Sequence, residues 1–486
     1  MGGAFGAALF ILITFDCVVS FSVHKDTIVA IATPEGNGGV AMVRLSGSEA
    51  LNIAAKILKP GFGAEIKSHQ AVYGILEWPE GGISPNEALN GAIDQVIALP
   101  MLTPNSFTGE DTVEFFCHGG TVVSRQVVSA CRLAGARPAT AGEFTRRAFL
   151  NGKLSLDQAE AVADLIHAES DMAARAAIRQ LLGGLSGELV AIEKPLLSLL
   201  ARLEGGLEFL EEDHAGVDSA EIARVLSESM GGITRLLDLA PAGRLLRDGI
   251  HVVLTGAPNV GKSSLFNELV QSDRAIVDEE AGTTRDVVAA RVVHHGQVFV
   301  FHDTAGLRET PGRIEGKGIE RTHRAVREAD IVLSLSLVGA PAESPPELGE
   351  EFSAAAMISV CTKCDLFPEK AAHQNRDDVS VYTSSISGQG VDSLWKELES
   401  CVQKYELDKA ISLGVVINER HRFKLENSLH ELNQLLEEIS QPNSIIGDEV
   451  VGTLLASILA QLGEISGRVF SEQILESVFS RFCVGK

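Results

Sequence analysis

The sequence is short of positive charge. Lysine and arginine number 41 against 65 aspartates and glutamates, a net of −24. Contact with a phosphate backbone needs clustered cations. A chain of this balance does not grip nucleic acid over its whole surface, so if RNA is a substrate, a local patch or a basic partner must hold it. Cysteines are few, scattered and odd in number: Cys17, Cys117, Cys131, Cys361, Cys364, Cys401 and Cys483. Such a set reads as reduced thiols and favours a cytosolic or organellar interior. Cys361 and Cys364 form a lone C-x-x-C with neither a second pair nor a nearby histidine to complete four ligands, which argues against zinc there. The apolar opening MGGAFGAALFILITFDCVVSFS is on the short side for a membrane span and is interrupted by Asp16. It lacks the basic region of a secretory signal and the Arg-rich amphipathicity of a mitochondrial one. Residues 1–24 are read as a targeting leader of uncertain role, with a cryptic anchor or a gene-model artefact as the alternatives.

What is present is ample for several cores. The length of 486 residues corresponds to about three domains, and 45% of the residues are hydrophobic. Over 25–142, short β-rich runs (TIVAIA, VAMVRLS, QVIALPM, TVEFFC) alternate with Gly/Pro turns and two helical stretches, a compact α/β module. Its loops PNSFTGED and CHGGT are polar, the kind of segment that carries binding groups. Over 143–244 the period becomes helical, with Ile178, Leu181, Leu185, Leu189, Ile192, Leu196, Leu199 and Leu203 at three- and four-residue steps. Gly183–Gly184 and Pro195 are expected to bend or split this run. A second helical region covers 404–486. Between them, over 245–403, strands alternate with helices (IHVVLTG, VFVFHDTAG, IVLSLSLV, MISVCTKCD, VSVYTSS), which implies a mostly parallel, doubly wound sheet inserted into an otherwise continuous helical domain. The fold class is therefore multidomain α/β plus all-α.

The inserted domain carries a nucleotide signature. GAPNVGKSS follows a predicted strand and opens a helix, the context of a P-loop. Gly256 and Gly261 let backbone N–H groups close around phosphates, Lys262 reaches the terminal phosphates and the Ser263 hydroxyl suits Mg²⁺. In DTAG, Asp303 holds Mg²⁺ through water and Gly306 offers its amide to the γ-phosphate. In the intervening GTTRD, Thr284 completes the metal shell. In TKCD, Asp365 accepts from guanine N1–H and its 2-amino group while Lys363 lies over the base. Together, in this order, these motifs make a GTP site, and the C-x-x-C inside it is incidental. Leu307 stands where Ras-like GTPases carry a water-orienting Gln, which Leu cannot replace. Either the protein is a slow switch, or hydrolysis is assembled otherwise: by a monovalent cation held at Asn259, or by Glu315, which taken alone reads as a solvated loop charge.

At this point the chain resembles the MnmE/TrmE family of tRNA-modification GTPases. The resemblance is carried by TIVAIATPEGNGGVAMVRLSG, PNSFTGED, GEFTRRAFLNGKLSLDQAEAVADLI, GAPNVGKSSLFN, AIVDEEAGTTRD, DTAGLRE and the terminal FCVGK, from about Asp26 to Lys486. It implies an N-terminal domain that binds tetrahydrofolate and dimerises, and a helical domain carrying an inserted Ras-like G domain. It implies that Val260, Ser264, Ser384 and Ser385 join the GTP set together with Asp278 and Thr283. Asn259, Asp278, Glu280 and Thr283 would surround a potassium ion, and Glu315 would orient the attacking water. Arg44, Glu114, Lys153 and Lys486 fall on folate-binding positions, with their individual roles unassigned. Three positions depart from the family pattern: Thr362 for Asn, Asp278 for Thr and Asn37 for Arg. Thr362 is expected to support the nucleotide loop less well than Asn.

The reaction the resemblance implies is installation of a (carboxymethyl)aminomethyl-type group on C5 of the wobble uridine of certain tRNAs. The one-carbon unit would come from 5,10-methylenetetrahydrofolate, and the partner would be a MnmG/GidA-type flavoprotein that keeps the FAD and supplies most of the tRNA-holding surface. The chain would act as a homodimer without stable membrane association. Its location would be a mitochondrion or chloroplast if the leader targets it, or a bacterial cytoplasm otherwise. A ribosome-assembly switch of the Era/Der kind is the rival reading, and it calls for a basic RNA-binding module that the sequence does not display. The ending SRFCVGK has bland readings too. Termini usually fray, and a prenylation box is disfavoured because Gly485 is not aliphatic. The resemblance instead docks the tail, with Lys486 lining the folate pocket and Cys483 acting as nucleophile or proton donor, or simply packing.

Overall fold

The computed structural model describes residues 26–34, 36–63, 66–79, 91–208, 217–272, 274–276, 289–303, 329–338, 356–367, 380–441 and 446–486. The chain divides into two compact units, one running to Ala163 and completed by Gly467–Lys486, the other Asp164–Ser466.

The first unit is built on a seven-stranded sheet. Its strands are β1 (Ile28–Ile31), β2 (Val40–Ser46), β3 (Leu58–Lys59), β4 (Val72–Glu77), β5 (Ala92–Met101), β6 (Thr112–His118) and β7 (Arg137–Pro138), in the order β3-β4-β5-β6-β2-β1-β7. All pairs are antiparallel except β1 with β7. Strand side chains alternate between faces, and β2 and β6 use this strictly. Val43, Leu45, Val113, Phe115 and Cys117 point into a core closed by helices Ala50–Ile57 and Thr121–Leu133. The intervening Arg44 and Glu114 fall on the other face. There Phe144, from helix Glu143–Leu150, packs on Ile28, Ala30 and Ala139.

The sequence-based boundary at 142/143 does not coincide with these units. Phe149, Leu156, Ala159 and Ala163 form one apolar cluster with Leu475, Val478, Phe479 and Phe482, so the segment after Glu143 folds with the C-terminal helix Glu472–Phe479. The driving force is burial of this phenylalanine-rich stripe, on the order of 1.5–3 kcal/mol per large apolar side chain.

In the second unit, helices from both sides of the inserted domain share a core. Gly184–Glu208 packs on Asp448–Ser466, and Glu419–Ile439 packs on both Asp448–Ser466 and Ser219–Asp238. The expected break falls at Gly183, between helix Asp171–Leu181 and helix Gly184–Glu208, whereas Pro195 lies inside the latter without ending it. Among the described residues one helix, Asp448–Ser466, is long and apolar enough to cross a membrane; its Val451, Leu455, Ile458, Leu462 and Ile465 are buried in the helical core.

The inserted domain carries the second seven-stranded sheet. Its strands are β8 (Ile250–Gly256), β9 (Arg274–Ile276), β10 (Ala289–His294), β11 (Gln297–Asp303), β12 (Ile331–Leu337), β13 (Ala356–Thr362) and β14 (Val381–Tyr382), in the order β14-β13-β12-β8-β11-β10-β9. Pairs from β14 through β11 are parallel, and β9 and β10 add an antiparallel edge. This is the mostly parallel sheet the strand–helix alternation predicts. Its central strands are apolar on both faces, as a parallel sheet buried on both sides requires.

Candidate nucleotide site and N-terminal charged cluster

The nucleotide residues gather at the carboxyl ends of β8, β11 and β13, where open α/β sheets bind ligands. After β8 the chain turns through Gly256 (φ 147°) and Asn259 (φ 60°) before helix Lys262–Ser272 begins. Gly256 is required by a close approach: a Cβ there would sit 2.4 Å from the Leu335 carbonyl oxygen of the neighbouring strand. Val260 is buried and anchors the loop, while Asn259, Ser263 and Ser264 are exposed. Lys262 spans the loop, its Nζ donating to the carbonyls of Gly256 (3.1 Å) and Ala257 (3.0 Å). Asp303 closes β11 in register with Leu254, two residues before Gly256.

TKCD is tied directly to this loop. Lys363, in the left-handed region at φ 57°, donates from Nζ to the Asn259 carbonyl at 3.0 Å. Thr362 is 3% exposed, and its hydroxyl lies 2.5 Å from the Val260 carbonyl oxygen and 3.1 Å from that of Ser336. The Thr362 side chain does support the loop: one buried hydroxyl proton is shared between two carbonyls, joining β13, β12 and the P-loop. Asp365 is exposed in the short 3₁₀ turn Cys364–Leu366. Opposite it, buried Ser384 accepts from the amides of Ile386 (3.3 Å) and Ser387 (3.4 Å), shaping the turn that carries Ser385. Cys364 is buried, its thiol raised chiefly by that burial and further by Asp365.

In the first unit, the cross-strand register sets Arg44 opposite Glu114, and Arg44 Nε donates to Glu114 Oε1 at 2.9 Å. The guanidinium carbon lies 5.2 Å from the Phe107 ring centre and 5.6 Å from that of Phe144, so it is capped by two aromatic faces. Lys153 reaches the same loop as Phe107, donating to the Pro104 carbonyl at 3.0 Å. The tail is docked: Val484 bridges to Ala141, and Phe144 N–H donates to the Lys486 carbonyl at 3.2 Å. Gly485 is buried at φ 104°, where a Cβ would come 2.1 Å from the Ile31 carbonyl oxygen. Arg44, paired with Glu114, thus lies against the Phe144 ring, and the Lys486 backbone is bonded to the Phe144 amide. The Cys483 thiol is exposed and its carbonyl accepts from Gly142 N–H at 3.4 Å.

Beneath this surface lies a network that motif reading did not single out. Arg147, 3% exposed, donates to Asp26 Oδ1 (2.9 Å), Glu143 Oε1 (3.1 Å) and Glu110 Oε2 (3.1 Å). Arg137 adds bonds to Glu143 and Asp26, each at 2.5 Å. Burial alone would raise the Glu143 carboxyl, but hydrogen bonds from Arg137, the Thr140 amide and Arg147 outweigh it and hold the group down at about 2. Glu110 also accepts from Ser46, which pairs with Thr108. The signal available in sequence was the concentration of charge in GED and GEFTRR, whose partners only the fold could choose.

A family model described as the MnmE helical domain matches residues 156–483, and one described as the GTP-binding protein TrmE N-terminus matches 27–153. A "tRNA modification GTPase MnmE" of Symbiobacterium thermophilum is 40% identical over 473 residues, covering 95% of this chain and 100% of that protein. One from Aquifex aeolicus is 36% identical over 465 residues, with coverage of 95% and 100%. The chain belongs to the MnmE family of tRNA modification GTPases.

Several site residues expected from the motifs and from the MnmE resemblance (Asp278, Glu280, Thr283, Thr284, Gly306 and Glu315) lie outside the described residues. Within them, the structure brings together the P-loop, Thr362 and Lys363, with Asp303 at the adjoining strand end. In the first unit it joins Arg44 with Glu114 and sets the Lys486 backbone beside Phe144.

Proposed function

We propose that this chain is a potassium-dependent GTP hydrolase that works in tRNA wobble-uridine modification with a MnmG/GidA-type flavoprotein. The observation that carries the reading is the joined loop system at the sheet's carboxyl edge, where Lys363 and Thr362 are bonded to the P-loop carbonyls of Asn259 and Val260. Family membership supports it. The donor set fits a nucleotide, since a glycine-turned loop opens onto a helix start and presents a lysine and a serine hydroxyl to phosphate and Mg²⁺. Lys262 binds the terminal phosphates, Ser263 and Thr284 hold Mg²⁺, and Asp365 selects guanine. Asn259 with Asp278, Glu280 and Thr283 holds potassium, whose charge substitutes for an arginine finger. Glu315 takes the water-orienting role that Leu307 cannot. The acidic balance assigns most tRNA holding to the partner.

The N-terminal cluster suits a folate, which offers a donor-edged pterin to Glu114 and carboxylates to Arg44, Lys153 and Lys486. Bound methylenetetrahydrofolate would supply the one-carbon unit. Arg44 engages Glu114 directly, so ligand carboxylates reaching Arg44 compete with that pair. Homodimerisation through this unit, and organellar targeting by the leader, belong to the same reading.

The test is GTP turnover by the purified full chain in potassium and in sodium, followed by mass spectrometry of wobble uridines from cells lacking the protein. Turnover is expected to fall at least about tenfold in sodium, equivalent to 1.4 kcal/mol of barrier. Equal rates would remove the cation from the mechanism, and unchanged uridines would remove the tRNA role. Glu315→Ala is expected to keep GTP affinity while losing turnover; lost affinity would assign it a structural role instead.

A further inference from the structure

The hairpin between β10 and β11 turns through His294, His295 and Gly296, at the edge of the sheet opposite the nucleotide loop. β11 starts there and runs parallel to β8 toward the P-loop, so the two ends are separated by about 20 Å of strand. Both histidines meet Glu399 of helix Val391–Gln403. His295 Nδ1 lies 2.5 Å and His294 Nε2 3.3 Å from the same oxygen, Glu399 Oε1. Among the described residues this is the one group of three histidine, cysteine or carboxylate side chains whose ligand atoms all lie within 4.8 Å of one another.

The framework behind the group is rigid. The His294 ring stacks on Trp395 with centroids 4.0 Å apart and planes 10° from parallel. Trp395 is buried and held edge-on by Phe299 and Phe301, and it sits one helical turn before Glu399. His294 and Glu399 are therefore fixed from behind. The His295 side chain is 76% exposed, at the left-handed turn position (φ 47°), and leaves the group open to water.

We propose that His294, His295 and Glu399 form a binding site for a zinc-class divalent cation. Two imidazole nitrogens and one carboxylate oxygen are the donor types such ions take, and a solvent-facing position admits the water that completes four-coordination. The net charge of −24 raises the local concentration of cations around the chain. A bound ion pins the hairpin turn to a helix that begins directly after the Ser384–Gly390 turn, so it stiffens the frame of the base-binding side from a distance. The plain alternative is a hydrogen-bonded His–Glu–His cluster with no metal affinity.

The experiment uses the full chain stripped with a chelator and then titrated with zinc chloride, read by calorimetry and by tryptophan emission, since Trp395 lies against a ligand ring and only Trp78 adds background. The expected result is one high-affinity site per chain, a Kd of about 10 µM or tighter, corresponding to about 7 kcal/mol. His295→Ala, at an exposed position, and Glu399→Gln are each expected to weaken it at least about tenfold, the loss of one ligand's share of binding, while GTP turnover in metal-free buffer with respect to zinc stays at the parent rate. No binding up to about 100 µM, or a loss below tenfold in both variants, overturns the site. Cobalt substitution adds a check: a thiolate charge-transfer band would place the ion on cysteines and also overturn it.

Discussion

The nucleotide loop and the N-terminal charged cluster are held together in opposite ways. At the loop, nearly every tie is to main chain: Lys262, Lys363 and Thr362 all bond to carbonyl oxygens of residues 256–260 or of β12. In the N-terminal unit the ties run side chain to side chain, between residues as far apart as Asp26 and Arg147, 121 positions in sequence. A site built from backbone demands small residues and fixed spacing along one stretch, so it appears as a motif. A site built from ion pairs demands only that sheet register bring charges together, so its members are scattered.

Breaking each construction should give a different signature. The largest effect is expected for Arg147→Ala, which removes one partner each from Asp26, Glu110 and Glu143 in a largely buried setting. About 3–5 kcal/mol of N-terminal stability should be lost, measured as a shift in hydrogen exchange of β1 and β7, with GTP affinity unchanged. A shift below about 1 kcal/mol, or a parallel loss of nucleotide affinity, would dissolve the contrast.

Thr362→Val comes next. It withdraws a buried donor from two carbonyls, costing about 1–3 kcal/mol, and fluorescent-GTP titration should show affinity reduced by roughly fivefold to a hundredfold. Unaltered affinity would mean the hydroxyl only packs. Gly485→Ala is expected to undock the tail locally, at about 1–2 kcal/mol for a residue forced from positive φ against a carbonyl. Faster carboxypeptidase trimming is the readout, and unchanged trimming would refute the docking.

The smallest effect at neutral pH, none, is expected from the Glu143 titration. Its carboxyl is held at about 2 in the fold against 4.5 ordinarily. A depressed carboxylate contributes stability that is fully present above the ordinary value and lost as pH falls through the folded one. The N-terminal unit should therefore lose stability between about pH 5 and 2, and Glu143→Gln should flatten that part of the denaturation-midpoint profile. An identical profile in the variant would assign the acid response to other groups.

Much of the G domain was legible because its constraints are local. The alternation of strands and helices, the glycine positions and TKCD each follow from what a few neighbouring residues must do. The partners of Thr362 were not legible, because whether a hydroxyl supports a loop depends on which carbonyls a neighbouring strand presents. The apolar stripe through Phe149 and Leu156 has a helical period that does not say which partner it will bury against, so its packing on the C-terminal helix Glu472–Phe479 was for the fold to choose. Pro195 was overrated as a break, since the helix Gly184–Glu208 continues through it in the packed core.

By itself, then, the sequence determined the strand and helix types, the glycine-turned loop before helix Lys262–Ser272, the TKCD turn and the acidic balance, because each is a property of residues in series. Only tertiary structure decided that Arg44 faces Glu114, that Arg147 gathers three carboxylates, that the last residues lie against Ile31, and that two histidines of a hairpin turn meet Glu399. Those contacts depend on sheet register and helix docking, and burial energy sums over many side chains that no short window contains.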